Sequence, residues 1–449
     1  MMLLAAAAAW LVLTRPVHRI EGDFLEREDR QVADDWLFEQ LRNPVAELRA
    51  RAFTALARIR GCAASEALAD AMRDPAPSVR AQAALATGNA FDTRSGHEHG
   101  REHGRSHVLA AGGTSDARSG ACTSPDAVAA ALIALLSDED RLVVTRAVEA
   151  LGKMGWRRAA ADITRTAAPI ATAMTALMRM DADGQAAFVA EYLDSDDQDS
   201  RWAAALAAHH LRLAATPAVW ERLQPLATDA NEFVRAAALR ALAAGQPGAS
   251  VLALVSKNLE HRDPKVRFEA RLAARALQGA PAPESLPAGE PALQLPAQGR
   301  PAGPLLEAGD YQRVAKTLGA RVRMSTSLGD FDIELDYDQA PLTADHFRSL
   351  AAQGAFDGTA FAAVRSNGYA VADIALAPIR SELNAKPFQR GSVGLLRLGD
   401  ASGGGLFICL TALPLADGRY VNFGRLVSGD QRLDRVAQGT AIMRVRESQ

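Results

Sequence analysis

Cysteine is scarce in this chain of 449 residues, and what there is cannot staple it. Cys62, Cys122 and Cys409 are an odd set placed far apart, which excludes a disulfide framework, and their spacing is not that of a metal knot. Cys62 and Cys409 read as small buried apolar residues. Charge of one sign is missing as well: 50 Lys and Arg stand against 53 Asp and Glu, for a net charge of -3. No basic face dominates, which argues against a nucleic acid partner. No serine, cysteine or histidine triad suggests itself. Gly403-Gly404-Gly405 is not followed by the Lys-Ser/Thr that a phosphate loop requires. No cofactor and no resident metal are expected.

Long apolar runs are also absent, with one partial exception. Met1 to Leu13 is continuously apolar and then meets Thr14-Arg15-Pro16. That is short of the ~20 residues of a membrane span, and it lacks the basic leader of a secretory signal. Three readings stay open: a truncated or mis-started signal or anchor, which would give an N-terminal membrane association; a short interfacial helix; or the buried first helix of the fold. The expectation carried forward is a bacterial cell-envelope protein facing the periplasm, with a cytoplasmic location as the alternative. Length and a hydrophobic content of 48% suit a globular chain of two or three domains.

What the chain does have is repetition. Between residues 27 and 278 an acidic or amide residue opens a turn, and an apolar-Arg pair soon begins an alanine-rich helix. Asn43-Pro44-Val45-Ala46-Glu47-Leu48-Arg49 is the first copy, and Asp74-Pro75-Ala76-Pro77-Ser78-Val79-Arg80 follows. Asp229 to Arg235 and Asp263-Pro264-Lys265-Val266-Arg267 are later copies, with weaker ones near Asp138 and Ser195. Asp or Asn is expected to cap each helix, with Pro just inside, and small alanines let helical pairs stack. The pattern resembles HEAT repeats and implies an all-α solenoid of six to seven helical pairs, whose concave face would bind a protein partner. The pair His209-His210 lies on one of the alanine-rich helices, and at least one of the two reads as a helix residue without chemistry.

An insertion at 92–124 interrupts the array. It carries His97, His99, His103 and His107 among Gly, Arg and Ser. The last three are spaced for one helix face, but Gly96, Gly100 and Gly104 oppose a helix, so a flexible loop is the reading kept. Residues 279–304 are rich in Pro, Ala and Gly and form a linker. Residues 1–26 are then an N-terminal segment, 27–278 the array, and 305–449 a C-terminal domain whose lead-in helix is expected over 305–318.

That last domain reads as mostly strand. Phe331-Asp332-Ile333-Glu334-Leu335 alternates as a half-buried strand does. Asp330, Asp332, Glu334, Asp336 and Asp338 are expected on the wet face of an edge strand and not as a cation site. Leu342 to Gln353 has helical spacing, with Thr343 as cap and Gly354 as stop. A second short helix is expected over 430–437.

Certain runs carry more than composition: Val322 to Leu335, His346-Phe347-Arg348-Ser349-Leu350, Gly391-Ser392-Val393-Gly394, Gly403 to Cys409, and Asp417-Gly418-Arg419-Tyr420-Val421-Asn422-Phe423-Gly424. In this order and spacing they resemble the cyclophilin family of peptidyl-prolyl isomerases. The resemblance implies a closed eight-stranded antiparallel β-barrel with two helices. It also implies a site in which an arginine contacts the prolyl amide beside a hydrophobic pocket. The family's Phe-His-Arg-Val run is here Phe361-Ala362-Ala363-Val364, so Ala363 stands at the arginine position. The glutamine position falls near Ala372, a second polar position at Gly405, and the family's tryptophan and histidine at Leu415 and Tyr420. Phe407 keeps the wall of the proline pocket. The resemblance thus gives a peptide-binding set of Phe361, Ala363, Tyr369, Gly405, Phe407, Leu415 and Tyr420. Arg365, two residues beyond Ala363 on the same strand face, is the one candidate for a relocated catalytic arginine.

Rotating an X–Pro bond crosses a barrier of about 20 kcal/mol, and donors aimed at the twisted amide lower it. With those donors missing, the expectation is an isomerase-like protein of weak or no activity that binds a protein or proline-containing peptide or assists folding. An active isomerase using Arg365 and a purely structural envelope scaffold are the alternatives.

Overall fold

The computed structural model describes residues 16–59, 65–91, 124–182, 184–245, 247–279, 305–372, 374, 379–398 and 401–448. Met1 to Leu13, the insertion's histidines, residues 280–304, Cys62 and Cys122 lie outside the described residues. The chain forms two compact units, Met1–Pro169 with Gly303–Lys316, and Ile170–Ala302 with Thr317–Gln449. This division does not follow the boundary expected at the linker. Helices from residue 170 onward belong with the barrel, and the lead-in segment belongs with the first unit.

In the first unit the helices are α1 (Pro16–Arg30), α2 (Asp35–Gln40), α3 (Ala46–Ile59), α4 (Ser65–Ala71), α5 (Pro77–Ala90), α6 (Pro125–Ala134), α7 (Arg141–Lys153) and α8 (Ala160–Ile163). In the second they are α9 (Ile170–Met180), α10 (Ala186–Leu193), α11 (Gln198–His210), α12 (Pro217–Leu226), α13 (Glu232–Leu242), α14 (Ala249–Ser256) and α15 (Pro264–Leu277). The lead-in is a single short helix, α16 (Asp310–Ala315). Its Tyr311 is buried and donates to Asp29 Oδ2 at 2.8 Å, and the same carboxylate accepts the Leu305 N–H at 2.6 Å.

The recurring phrase has a geometry that helix capping alone does not describe. Its opening residue does not cap the helix; its side chain accepts the N–H two residues on, which closes the turn. Asn43 accepts from Val45, Asp74 from Ala76, Asp138 from Asp140, Ser195 from Asp197, Asp229 from Asn231, and His261 from Asp263. The N-cap is that second residue, and Asp140, Asp197, Asn231 and Asp263 cap with their side chains. The arginine six residues after the opener then donates back to the turn's carbonyls: Arg49 to Asn43, Arg80 to Asp74, Arg201 to Ser195, Arg235 to Asp229, and Arg267 to His261. It also reaches forward to the next opener, Arg49 to Asp74 at 2.8 Å, Arg80 to Asp138 at 2.7 Å and Arg201 to Asp229 at 2.9 Å. These three guanidinium groups therefore tie one turn to the next, whereas Arg235 and Arg267 bond turn carbonyls alone. Between the steps, fully buried alanines such as Ala204, Ala207, Ala236 and Ala238 let α11 and α13 approach closely.

The strands are β1 (Ala320–Thr326), β2 (Gly329–Leu335), β3 (Thr359–Val364), β4 (Tyr369–Ala372), β5 (Ile379–Arg380), β6 (Ser392–Leu398), β7 (Ala401–Cys409), β8 (Val421–Ser428) and β9 (Ala441–Ser448). Their order is β4-β3-β9-β1-β2-β8-β6-β7, and β4 pairs with β7 to close an eight-stranded antiparallel barrel. The two-residue β5 adds to β7. Consequently β2 is no edge strand, since it pairs with β1 and β8. Its outward carboxylates are ion-paired, Asp332 with Arg323 at 2.7 Å and Glu334 with Arg321 and Arg425, and Asp336 just beyond its end pairs with Lys386. Among the described residues no cluster of His, Cys, Asp or Glu could hold a metal ion, and no helix is long and apolar enough to cross a membrane.

One barrel helix, α17 (Pro341–Gln353), ends at Gly354 with φ 76°, a conformation that glycine adopts without strain. Its N-terminus is not capped by Thr343, which is fully buried inside the first turn. The buried Glu382 carboxylate arrives from a distant loop and accepts the Leu342 and Thr343 N–H groups at 3.1 and 2.6 Å. The second helix is a 3₁₀ helix over Asp430–Arg435.

Arg201→Ala should cost about 1–3 kcal/mol, because it leaves turn carbonyls and the nearly buried Asp229 without their donor. Urea denaturation checks this against the exposed Arg271→Ala, expected to lie within about 0.5 kcal/mol of the parent. A second outcome concerns acid. The hydrogen bond from Arg80 holds the Asp138 carboxyl below its ordinary value, against the opposing effect of burial. A folded pKa below the unfolded ~3.9 stabilises the fold fully above that value, and the contribution is lost as pH falls through the folded one. Asp138→Asn should therefore shrink the stability gap to the parent as pH drops below about 4, measured by denaturation at each pH.

Candidate functional site

The site begins with a short hairpin. β3 pairs with β4, with a register shift between Phe361 and Ala363. Arg365 and Tyr369 exchange backbone hydrogen bonds at 2.8 and 3.1 Å and close the turn between the strands. The strand thus ends at Val364, and Arg365 belongs to the turn. Its stem lies over Gly368, where an added Cβ would sit 3.2 Å from Arg365 Cδ. Its guanidinium is in the field of Arg240 and Glu269 of α13 and α15, and burial first, then Arg240, lowers its pKa.

Beside the hairpin, Tyr369, Val371, Phe388, Leu396, Phe407, Cys409 and Ala416 form one apolar cluster, with Ala363, Leu413 and Tyr420 packed on it. Phe407 is 0% exposed and Tyr369 4%. The Phe407 ring lies 5.2 Å from that of Phe388 and meets Tyr420 edge-on at 5.6 Å. Two glycines make the packing possible. A Cβ on Gly394 would meet the Phe407 ring at 2.5 Å and Phe388 at 2.7 Å, and one on Gly405 would meet Leu396 Cδ1 at 2.8 Å. The space that Gly405 leaves is filled by a leucine methyl from the neighbouring strand. Phe361, fully buried, lies before the register shift, and Ala372 is buried opposite Leu406. Burial also pushes the Cys409 thiol pKa up, so this cysteine is inert packing.

Helices of the same unit meet the loops around this cluster. Leu415 packs against the apolar core of α9–α15. Arg179 of α9 donates to the carbonyls of Pro414 and Asp417, at 3.1 and 2.6 Å. Glu269 of α15, 1% exposed, is paired with Arg240 and accepts the Asn367 side-chain amide at 3.2 Å, while Arg240 donates to the Asn367 carbonyl at 3.1 Å. Lys265 bridges Asp263 and Asp434 at 2.8 and 3.1 Å. His209 of α11 is held at a pKa of about 4, by burial first and then by Arg240; its partner His210 lies 3.8 Å from Asp181. Two open clefts of about 630 and 370 Å³ lie elsewhere on the barrel, among Arg321, Asp336, Lys386 and Arg425, and among Arg323, Arg444 and Arg446.

The geometry thus brings Ala363, Tyr369, Phe407, Tyr420 and Gly405 together, sets Leu415 toward the helices and leaves Arg365 in the turn, within the fields of Tyr369, Arg240 and Glu269. Reading the sequence missed Phe388, Leu396, Asn367, Arg179, Arg240 and Glu269. Phe388 and Leu396 act across strands, and the helical residues lie 98 to 238 positions from what they bind, so no local pattern marks them.

Residues 321–448 match the family described as cyclophilin type peptidyl-prolyl cis-trans isomerase/CLD. A peptidyl-prolyl cis-trans isomerase of Helicobacter pylori is 30% identical over 144 residues, which cover 29% of this chain and 88% of that protein. The chain belongs to the cyclophilin family. A second relative, the peptidyl-prolyl cis-trans isomerase ppi1 of Schizosaccharomyces pombe, is 31% identical over 125 residues, 24% of this chain and 80% of that cyclophilin. A solved cyclophilin type isomerase of Cryptosporidium parvum, crystallised in the presence of the dipeptide Ala-Pro, is 20% identical, with a TM-score of 0.28, and covers 29% of this chain and 99% of its own.

Within this cyclophilin barrel, Gly394→Ala is the sharpest test of the aromatic packing. Its methyl group overlaps two fully buried rings on different elements, and such overpacking costs about 1–3 kcal/mol. The expected outcome is a loss of that size in denaturant unfolding, and Gly439→Ala, where an added Cβ meets nothing within 4 Å but φ is 85°, should cost only the smaller backbone strain of about 1 kcal/mol.

Proposed function

We propose that this protein is a cyclophilin-type isomerase homologue of weak or no catalytic activity, built on a HEAT-like helical scaffold. It acts by binding a protein or proline-containing peptide, or by assisting folding, and not by fast turnover. The observation that carries this reading is Ala363. The site has a methyl group where the family's reaction requires a guanidinium, and a leucine methyl fills the position of the second polar contact at Gly405.

Losing one preorganised donor typically costs a factor of about 10²–10³ in rate, and losing several leaves little above background, although such losses do not add simply. Against Arg365 as a replacement speaks its place in the turn beyond the strand, with its stem over Gly368 and its guanidinium in the fields of Arg240 and Glu269 as well as of Tyr369. The arginine links from turn to turn support the scaffold reading, since Arg49, Arg80 and Arg201 each give one helical pair a fixed step to the next. The relatives' shared description makes an X–Pro peptide the ligand class to test.

The test is a protease-coupled isomerisation assay on the full chain with a proline-containing tetrapeptide. The expected rate is within about twofold of the uncatalysed one, unchanged in Arg365→Ala. A rate tenfold or more above background that falls in Arg365→Ala would overturn the proposal in favour of a working enzyme with a relocated arginine.

A further inference from the structure

The loops that border the aromatic cluster are the parts of the barrel that a ligand at Phe407 would have to pass. One is the β3–β4 turn with Arg365 and Asn367, and the other is the segment from Leu413 to Asp417 that carries Leu415. Helices α9, α13 and α15 engage both. Two independent polar clamps and one apolar contact do this. Arg179 fills two carbonyls of the second loop, and the Arg240–Glu269 pair uses both the carbonyl and the side-chain amide of Asn367. Leu415 packs, partly buried, against apolar residues of the helices.

Buried ionic groups make this contact specific. A carboxylate at 1% exposure is costly unless its acceptor sites are filled, and Asn367, on the barrel, fills one of those of Glu269. Detaching the β3–β4 turn would leave Glu269 with one partner fewer, and detaching the 413–417 loop would take from Arg179 the two carbonyls it meets there. The helices are therefore satisfied only with the barrel in place. Lys265, its side chain 3% exposed, adds a further tie to Asp434 of the 3₁₀ helix.

We infer that the cluster-bearing face of the barrel is an interface made in cis, in which the chain's own helices α9, α13 and α15 occupy the approach that a peptide would use. This rests on the proposed reading of that cluster as the remnant of a prolyl site. The helices take the part of the bound partner, and access to Phe407 from outside requires them to leave.

Hydrogen exchange on the full chain tests the contact loop by loop. In the parent, segments 365–369 and 413–418 should be protected. Arg179→Ala should raise exchange in 413–418 at least tenfold, and Glu269→Ala should do so in 365–369, with β1 and β2 unchanged in both. Protection unaltered by either variant, or lost equally throughout the barrel, would overturn the inference. A measurement without any variant stands beside it. In hydroxyl-radical labelling of the parent, Leu415 should react at least fivefold more slowly than Leu318, which is 56% exposed; equal labelling would overturn the inference. Saturable binding of a fluorescent Ala-Pro peptide to the parent while both loops stay protected would also overturn it. An active isomerase with protected loops would sink the functional reading alone, and an inactive chain with unprotected loops would sink only the interface.

Discussion

Burying a carboxylate costs several kcal/mol unless its surroundings replace the water it gives up, and Glu269 is buried almost completely. Its replacements come from two elements far apart in sequence, Arg240 on the preceding helical pair and Asn367 on the barrel's hairpin. That requirement joins the two halves of the second unit. The arginine that steadies one helix against the next also grips the barrel turn, so helix register and turn position are fixed together. The Arg365 guanidinium falls under the same charges.

The same economy of cations runs through the helical array. An arginine that satisfies its own turn's carbonyls and the next turn's aspartate sets both the pitch and the spacing of the pairs. Where the opener is His261 and not an aspartate, Arg235 keeps its backbone contacts and gains no carboxylate. Its charge instead helps hold His261 below its ordinary pKa, behind the larger effect of burial. The ladder is therefore uneven by composition: Arg235 meets no carboxylate, and the turn opened by Asp138 has Val144 where the others have arginine.

Much of this was legible in the sequence. The repeated Asp-to-Arg phrase located helices that exist, the alternation in β2 and the stop at Gly354 are read correctly from pattern, and the closed barrel from the family resemblance. What failed were statements about partners. Thr343 looked like a cap because its type and place suit one, yet Glu382 does the capping from 40 residues away. β2 looked like an edge because of its carboxylates, whose cations come from β1, β8 and the loop before β6. Arg365 was placed by strand alternation, and alternation stops where the turn begins. The lead-in helix was assigned to the barrel by proximity along the chain, whereas Tyr311 found Asp29. In each case the sequence carries local preference, and the structure is decided by which distant group arrives to complete a hydrogen bond or ion pair.

The pairing of Gly405 with Leu396 has a consequence for how this site could change. A long polar side chain introduced at position 405 would strike the Leu396 methyl and approach the Ala372 carbonyl, so it cannot be accommodated by itself. Trimming Leu396 first would open a void in a sealed apolar cluster. Each single step is unfavourable on packing grounds, so a polar side chain at position 405 requires both positions to change together. The present state is held by mutual dependence between two neutral-looking residues, as a latch is held by parts that must move at once.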